Sequence, residues 1–273
     1  MFAFRVASVA SLALILGCAS SNISSVQDGP IRASDATRKE LAPTGKLRVS
    51  VLISPSPGTL LSTRRADGTI EGVTTTLGTA LATEIGVPVE LVPVTGLGGL
   101  FDSLTSRQAD VTFTNADASR RKDVEYGPRY AKTDFTFLVS GKSGINSFEE
   151  INRPNMRLLV SNNSPFTSAL RARFPNAQFV QYGQLDEGAR LFAEGKADAL
   201  FFGRVAIDTL ATRIPDSKVL GPSFVEQDNV IAVQSDRPLA KAYVVGFIER
   251  AKNSGLVRKA LDDAGLRNTP VAR

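Results

Sequence analysis

The sequence predicts an α/β fold built from two sets of strands and helices, each a mostly parallel sheet flanked by helices. Short runs of β-branched and aromatic residues alternate with helical patterns of about ten residues, which is typical of parallel sheets covered on both faces. About 230 residues follow an N-terminal leader and tether (residues 1–44), enough for one large domain or two lobes. The two sets share no internal sequence repeat.

Residues 1–17 are predicted to be a signal peptide. Arg5 precedes an apolar run over residues 6–16, which has the length of a secretory h-region and is too short to span a bilayer as a helix. Cys18, the only cysteine of the chain, follows directly, and residues 15–18 (ILGC) resemble a bacterial lipobox. We therefore expect lipidation of Cys18, with cleavage by an ordinary signal peptidase at the same place as the alternative.

Residues 18–44 are predicted to be a lipid-anchored tether, because residues 19–30 are rich in serine and contain few apolar side chains. A short helix is predicted from Ser34 to about Leu41, ended by Pro43. No other apolar run has the length of a transmembrane helix, so contact with the membrane is expected through the lipid anchor only.

Composition excludes several classes of function. The net charge of +5 comes from scattered basic residues without a basic stripe, which argues against nucleic acid as a partner. The chain has no histidine and one cysteine, which excludes a transition-metal site, a Ser-His-Asp triad and a Cys-His pair. We expect no metal, no cofactor and no intrachain disulfide.

The first set of elements ends at the stretch that we expect to hold the site. Asp117 is a natural N-cap for a helix, and Arg120 lies one turn further on. Ligands of open α/β sheets lie at the carboxyl ends of the strands, and an arginine there is suited to a carboxylate. Taken alone, this stretch favours the alternative of a solvated basic face. The predicted elements are strand 47–53, helix 75–85 with Gly86 as its stop, strand 87–94, helix 100–107 and strand 111–114.

The second set begins after an extended segment at residues 135–139. Residues 147–150 (SFEE) form a capping-box pattern, and Ser164 followed by Pro165 is a helix start signal. The predicted elements are strand 156–161, a helix through Phe174, strand 179–182, helix 185–194, strand 198–202, helix 205–212, strand 229–233 and helices 239–252 and 256–264.

Five short segments carry a resemblance to a known family through their order and spacing. They are residues 45–49 (GKLRV), 67–72 (DGTIEG), 101–111 (FDSLTSRQADV), 115–126 (NADASRRKDVEY) and 195–199 (GKADA). Over residues 45–266 the chain resembles the extracytoplasmic solute-binding proteins of family 3, bilobed receptors that deliver polar amino acids to ABC importers. The resemblance implies a two-lobed, type II periplasmic-binding-protein-like fold with a two-crossing hinge.

The family fold implies a division of the chain into lobes. Lobe one would comprise residues 45–136 and 229–268, and residues 137–228 would hold the hinge and lobe two. Crossings near 137–141 and 226–230 would form the hinge, leaving residues 269–273 as a tail. Such a receptor closes around its ligand because contacts with the ligand favour the shut state.

The resemblance also implies a set of ligand-binding residues. Arg120 aligns with the arginine that holds the ligand's α-carboxylate, and Asn163 and Ser164 replace a turn whose N–H groups bind the same carboxylate. The expected ligand-binding residues are Ser54, Ser56, Thr114, Asn115, Arg120, Asn163, Ser164, Phe166 and Gly203. No catalytic residue is expected.

Three positions depart from the family pattern. Gly203 stands where the family usually has an aspartate that pairs with the ligand's ammonium group. Residues 54–58 lack the aromatic residue of the first loop, and residues 74–76 (TTT) replace the usual aspartate after Gly72. Because a buried ammonium without a charge partner is costly, we expect a carboxylate whose α-ammonium is absent or masked.

The expected function is non-catalytic binding of a small carboxylate-bearing solute, an amino acid or a derivative, for delivery to an ABC importer permease. Two alternatives stay open: a cyclohexadienyl-dehydratase-like enzyme on the same fold, and an envelope sensory or interaction protein without a transport role. Asp117, Asp186 and Glu187 are the acids available to an enzyme, although a helix cap and helix-start carboxylates are simpler roles for them. The expected protein is a monomeric periplasmic or extracytoplasmic lipoprotein.

Overall fold

The structure, a computed structural model, describes residues 1, 33–54, 60–117, 120–162, 164 and 166–273. Within this part of the chain, none of the helices has the length and apolar character needed to cross a bilayer. The helices are α1 (Asp35–Leu41), α2 (Val73–Ile85), α3 (Gly96–Thr105), α4 (Thr167–Arg173), α5 (Leu185–Ala193), α6 (Arg204–Arg213), α7 (Pro238–Asn253) and α8 (Leu256–Asp263). The strands are β1 (Leu47–Leu52), β2 (Ser62–Arg64), β3 (Ile70–Gly72), β4 (Val89–Val94), β5 (Val111–Asn115), β6 (Val124–Ser140), β7 (Arg157–Ser161), β8 (Gln178–Tyr182), β9 (Ala199–Gly203), β10 (Ser217–Val219) and β11 (Val225–Gln234).

Two long antiparallel strands, β6 and β11, join two parallel sheets into one. The order is β4-β1-β5-β11-β6-β9-β7-β8, with β10 also paired to β6, and β2 and β3 form a separate hairpin. Strands β4, β1 and β5 are parallel on one side of the long pair, and β9, β7 and β8 are parallel on the other. The predicted α/β architecture, two mostly parallel sheets flanked by helices, is confirmed.

The two faces of the joined sheet can be followed from one lobe to the other. On one face, Phe113 of β5 packs in a core with α2, α7 and α8, and Phe137 of β6 packs in a core with α4. The register of β5, β11 and β6 places both phenylalanines on this same face. Helix α3 packs on the opposite face in lobe one, and α5 and α6 do so in lobe two. Helices α2 and α4 therefore begin on the same side of the strands that join the lobes.

An arginine–aspartate pair of the same geometry occurs in each lobe. In lobe one, Asp110 accepts two hydrogen bonds from the Arg48 guanidinium, at 2.9 and 2.7 Å, and one from its backbone N–H at 3.0 Å. In lobe two, Asp198 accepts the corresponding three from Arg157, at 3.0, 2.8 and 2.9 Å. Asp110 precedes β5 and links it to the start of β1, and Asp198 precedes β9 and links it to the start of β7. The two lobes thus share this arginine–aspartate arrangement, although the sequence has no internal repeat.

The stretch after β5 differs from its prediction. We expected Asp117 to cap a helix, but residues 120–123 form a short turn closed by the Asp123 N–H to the Arg120 carbonyl at 3.0 Å. A helix has no room to continue, because Val124 already pairs with Gln234 of β11. The strand predicted at 135–139 is the last part of β6, which has 17 residues.

Two predicted helix starts also differ. Helix α4 begins at Thr167 rather than at residue 165, and the Ser164 hydroxyl accepts the Phe166 N–H at 3.3 Å instead of capping an α-helix. The capping-box pattern at 147–150 starts a 3₁₀ turn, in which the Glu150 carboxylate accepts the N–H groups of Asn146 and Ser147. The hairpin of β2 and β3 and the short strand β10 were not predicted.

Candidate functional site

The ends of β5 and β9 approach the joining strands from opposite sides. Asn115, the last residue of β5, pairs with Asn229, which pairs in turn with Ala131 of β6. Gly203, the last residue of β9, pairs with Phe135 of β6. Ala131 and Phe135 are four residues apart along one strand, or about 13 Å at 3.3 Å per residue. Two of the predicted site residues therefore flank the same short section of the hinge.

Five side chains of this section form what we call the hinge floor: the polar Asn115, Thr133, Gln227 and Asn229, which pair by hydrogen bonds, and the apolar Phe135. Asn115 Nδ2 donates to Gln227 Oε1 at 2.8 Å, and Asn229 Nδ2 donates to Thr133 Oγ1 at 2.7 Å. All five lie on the face from which α2 and α4 begin, and every one except Asn229 is partly exposed. The hinge floor therefore offers neutral hydrogen-bonding groups between the lobes.

The charged residues of the same strands lie on the opposite face. Alternation along β6 and β11 places Lys132 and Asp134 opposite Asp228 and Glu226 in the ladder. Lys132 forms an ion pair with Glu226, and Arg129 lies 3.6 Å from Asp228. The hinge thus has one neutral and one charged face.

The lobe-two side of the hinge floor is aromatic. The Phe166 ring lies 4.6 Å from that of Phe135 and 5.5 Å from that of Phe201, centroid to centroid. Phe201 is fully buried in the phenylalanine cluster of lobe two, whereas Phe135 and Phe166 are partly exposed. Ser164 stands two residues before Phe166, whose N–H its hydroxyl accepts at 3.3 Å. Phe166 is thus the predicted residue of this segment that contacts the hinge floor.

Gly203 leaves open space at the end of β9. A Cβ added there would meet no atom within 4 Å, and the register directs it to the same face as Phe135. The next residue, Arg204, is turned away: its guanidinium bonds to Asp208 at 2.8 Å and to the carbonyls of Gly221 and Pro222. The structure therefore has room for a side chain at position 203.

Arg120 lies beside α3, with its Cζ 5.3 Å from the centroid of the Phe101 ring. Among the described residues it makes no ion pair and no side-chain hydrogen bond. Nearby, the Tyr126 hydroxyl donates to the Asp117 carbonyl at 3.0 Å, and burial raises the pKa of Tyr126, which keeps it a neutral donor. The structure thus positions the Arg120 guanidinium by stacking and leaves its N–H groups uncommitted.

The remaining predicted residues are not part of the hinge floor. The Thr114 side chain is buried on the face opposite Asn115, so its hydroxyl is not part of the hinge floor. Ser54 is buried at the end of β1, where its N–H bonds to the Ser62 carbonyl at 2.7 Å. Ser56, Asn163 and Cys18 lie outside the described residues.

Thr74 and Thr75, at the start of α2, have a structural role. The hydroxyls of Thr74 and Thr75 lie 2.6 and 2.7 Å from the Ser62 hydroxyl, which joins the start of α2 to β2. Gly72 precedes them with a φ of 133°, and a Cβ there would lie 2.5 Å from the Leu61 carbonyl oxygen. Only glycine lets the hairpin and the helix approach this closely.

Three residues of the hinge floor were not predicted from the sequence: Thr133, Gln227 and Asn229. A signal was present: residues 132–134 (KTD) and 226–229 (EQDN) alternate charged with neutral polar residues, as expected for strands with two different faces. In the described part of the chain, no cluster of histidine, cysteine and acidic side chains has the geometry to hold a metal ion. The chemistry available at the hinge floor is hydrogen bonding and apolar contact.

Comparison with known proteins identifies the relatives of this fold. Residues 56–263 match the family model of the bacterial extracellular solute-binding proteins, family 3. No curated protein sequence matches the chain.

Solved structures of two-lobed binding proteins also match. An ancestral cationic amino acid solute-binding protein is 23% identical with a TM-score of 0.67, and the match covers 84% of this chain and 99% of that one. A putative ABC transporter binding component from Wolinella succinogenes, complexed with lysine, is 22% identical with a TM-score of 0.67 and coverages of 81% and 95%. A cysteine-binding protein from Campylobacter jejuni is 19% identical with a TM-score of 0.65 and coverages of 84% and 92%. These likenesses confirm the two-lobed type II fold.

Proposed function

Because the chain belongs to the bacterial extracellular solute-binding proteins of family 3, we propose that it binds a small carboxylate-bearing solute between its lobes and presents it, chemically unchanged, to an ABC importer. Membership of this family implies a small-molecule ligand, an extracytoplasmic location and, in general, an ABC transporter as the partner. The single observation that carries the proposal is the convergence of Asn115, Phe166 and Gly203 on one partly exposed face of the hinge.

We assign the ligand's carboxylate to Arg120, which lies on the α3 side of the sheet and would reach the ligand past the end of β5. Stacking on Phe101 fixes the plane of the guanidinium and leaves its edge free to donate two parallel hydrogen bonds. Arg120 forms no ion pair within the described part of the chain, which supports a role in holding an anion. Ser164, at the start of the lobe-two segment, is the candidate for contact from the other side of the ligand.

We further infer that the ligand lacks a free α-ammonium group. The relatives of known structure include proteins named for cationic amino acids, lysine and cysteine, but Gly203 gives this chain no carboxylate at the end of β9. Asp134, Glu226 and Asp228 belong to the charged face of the hinge and point away from the hinge floor. A desolvated ammonium would therefore have no charge partner on this face of the hinge.

A non-catalytic role is supported by the same arrangement. Dehydration of a substrate needs an acid or base within hydrogen-bond reach, and the hinge floor contains only amides, a hydroxyl and a phenyl ring. Glu187, one of the acids available to an enzyme, accepts the Gly183 N–H at 2.9 Å at the start of α5. We also propose that the protein acts as a monomer held to the envelope by a lipid on Cys18.

The test is a thermal-shift screen of the soluble domain, residues 33–273, against amino acids, their N-acetyl derivatives, 2-hydroxy acids and dicarboxylates, followed by calorimetry. A ligand that binds only the folded protein raises its melting temperature. We expect carboxylates without a free ammonium to bind, and Arg120→Ala to weaken them at least about tenfold, as when a charged hydrogen-bond partner is lost.

A gain-of-function variant tests whether the missing carboxylate at Gly203 disfavours ligands with a free α-ammonium group. Gly203→Asp would place a carboxylate in open space, so it should fold normally and improve the affinity for the free amino acid relative to its N-acetyl derivative. Gly203→Asn is the matched control, because it fills the same space without a charge. Tighter binding of the free amino acid than of its desamino analogue by the unmodified protein would overturn the ligand class.

A further inference from the structure

The hinge floor contains hydrogen-bonding groups that remain unused within the described part of the chain. Gln227 Oε1 accepts from Asn115, but Gln227 Nε2 donates to no described residue, and Asn115 Oδ1 accepts from none. Thr133 Oγ1 accepts from Asn229, which leaves its O–H free to donate elsewhere. The bond from Asn115 orients the Gln227 amide, so its two N–H donors have a defined direction.

These groups lie where a ligand held by the two lobes would rest. The hinge floor runs from the end of β5 to Phe135, which is level with Gly203 and in contact with Phe166. Helices α2 and α4 cover the same face on either side, leaving this section partly exposed. A ligand bound between the lobes would therefore have its surface facing Gln227 and Thr133 desolvated.

The chemistry of the set discriminates between ligands. An ammonium has three donors and no acceptor, so it could donate to Asn115 Oδ1 but would meet the Gln227 N–H groups donor to donor. A hydroxyl or an acylated nitrogen has an oxygen acceptor as well as a donor, and can pair with both Gln227 and Asn115. The neutral polar groups of the hinge floor thus favour a ligand whose second polar group, besides the carboxylate, is uncharged.

We propose that Gln227, oriented by Asn115 and assisted by Thr133, is the specificity-determining residue that recognises a neutral hydroxyl or amide on the carboxylate ligand. This assignment rests on the proposed function, since it concerns the same site. Phe135 and Phe166 provide the adjoining apolar surface, so the ligand's side chain is aromatic or branched aliphatic. The ligand class is a 2-hydroxy acid or an N-acyl amino acid with such a side chain.

The experiment measures affinities by calorimetry for two matched series. The phenyl series is phenylalanine, N-acetylphenylalanine, phenyllactate and 3-phenylpropanoate, and the aliphatic series is leucine with the corresponding three derivatives. Wild-type protein is expected to bind the hydroxy or N-acetyl member about tenfold more tightly than the member without a second polar group, the preference expected of one or two buried neutral hydrogen bonds.

Three variants test whether Gln227 causes the preference for the hydroxy or N-acetyl member. Gln227→Leu should remove it while keeping affinity for 3-phenylpropanoate or its aliphatic counterpart. Gln227→Glu keeps an oxygen for Asn115 to bond and adds a negative charge, so it should move the preference toward the free amino acid by at least about tenfold. Glu226→Gln, next in the chain but on the charged face, is the matched control and should leave every ratio unchanged.

The outcomes separate this inference from the proposed function. If Arg120→Ala weakens binding but both Gln227 variants keep the wild-type ratios, the recognition role of Gln227 is wrong and the proposed function stands. If neither series binds while another carboxylate binds in an Arg120-dependent manner, the ligand class proposed here is wrong. If no carboxylate binds the wild type at all, both the inference about Gln227 and the proposed function are wrong.

Discussion

The two arginine–aspartate pairs allow a test of burial with the geometry held constant. Asp110 and Asp198 each accept two guanidinium hydrogen bonds and one backbone N–H, at distances that agree within about 0.1 Å. Their surroundings differ. The Asp110 side chain is 0% exposed and also accepts from Arg237 at 3.0 Å, whereas that of Asp198 is 25% exposed and its partner Arg157 is 38% exposed.

We predict that Asp110→Ala destabilises the protein far more than Asp198→Ala. Removing Asp110 leaves Arg48 and Arg237 without their carboxylate, and the Arg237 side chain is only 9% exposed. Breaking a buried pair in this way costs about 3–5 kcal/mol. In lobe two, water can solvate the freed Arg157, so the loss should be about 1 kcal/mol, near the upper range for exposed pairs.

Urea unfolding of residues 33–273, followed by circular dichroism, measures both losses against wild type. Where the slope of the transition is unchanged, the shift of its midpoint gives the change in the free energy of unfolding. Asp110→Asn and Asp198→Asn are the controls, since each keeps one acceptor for the arginine N–H groups. Equal losses for the two alanine variants, or a larger one for Asp198→Ala, would refute the argument that burial sets the cost.

Three further predictions concern acid stability, closure and anchoring. The Arg157 side chain and its backbone N–H lower the pKa of Asp198. The contribution of this carboxylate to stability is therefore complete above its unfolded pKa of about 3.9 and disappears as the pH falls through the lower folded value. The difference in stability between wild type and Asp198→Ala should thus become smaller on acidification, and a larger difference would contradict this. Small-angle scattering should show a slightly smaller radius of gyration with saturating ligand, and no change would count against closure. Cys18→Ser should abolish labelling of full-length protein by a palmitate analogue in cells, whereas equal labelling of both would exclude Cys18 as the anchor.

Local patterns in the sequence sufficed to predict most helices and strands. Leu77, Leu81 and Ile85 lie on one face of α2 and are buried, and Gly86 ends that helix with a φ of 73°. Such features depend on residues within a few positions of one another, which a periodic pattern reports directly. The alternation of elements then fixed the fold class.

The contacts between residues at the hinge could not be predicted in the same way. Gly127 and Pro128 interrupt β6, and residues of this kind normally indicate a break in a strand. The ladder with β11 accommodates them through irregularities at Val230, a partner about 100 residues away in the sequence. The bond between Asn115 and Gln227 likewise spans 112 positions. Which polar residues meet at the hinge floor is therefore set by long-range register.

The chain order of the joining strands has a consequence for how the protein reaches its native state. Strand β5 has β11 as its partner on one side, so the sheet of lobe one stays incomplete until the last quarter of the chain is present. Lobe two, in contrast, is built from one continuous stretch between β6 and β11. Closing the long loop carries an entropic cost that a continuous unit avoids, so lobe two should become protected first. A chain growing or emerging from its N-terminus would thus expose the edge of β5 until β11 arrives, which makes that edge the point most open to chaperone binding or mispairing.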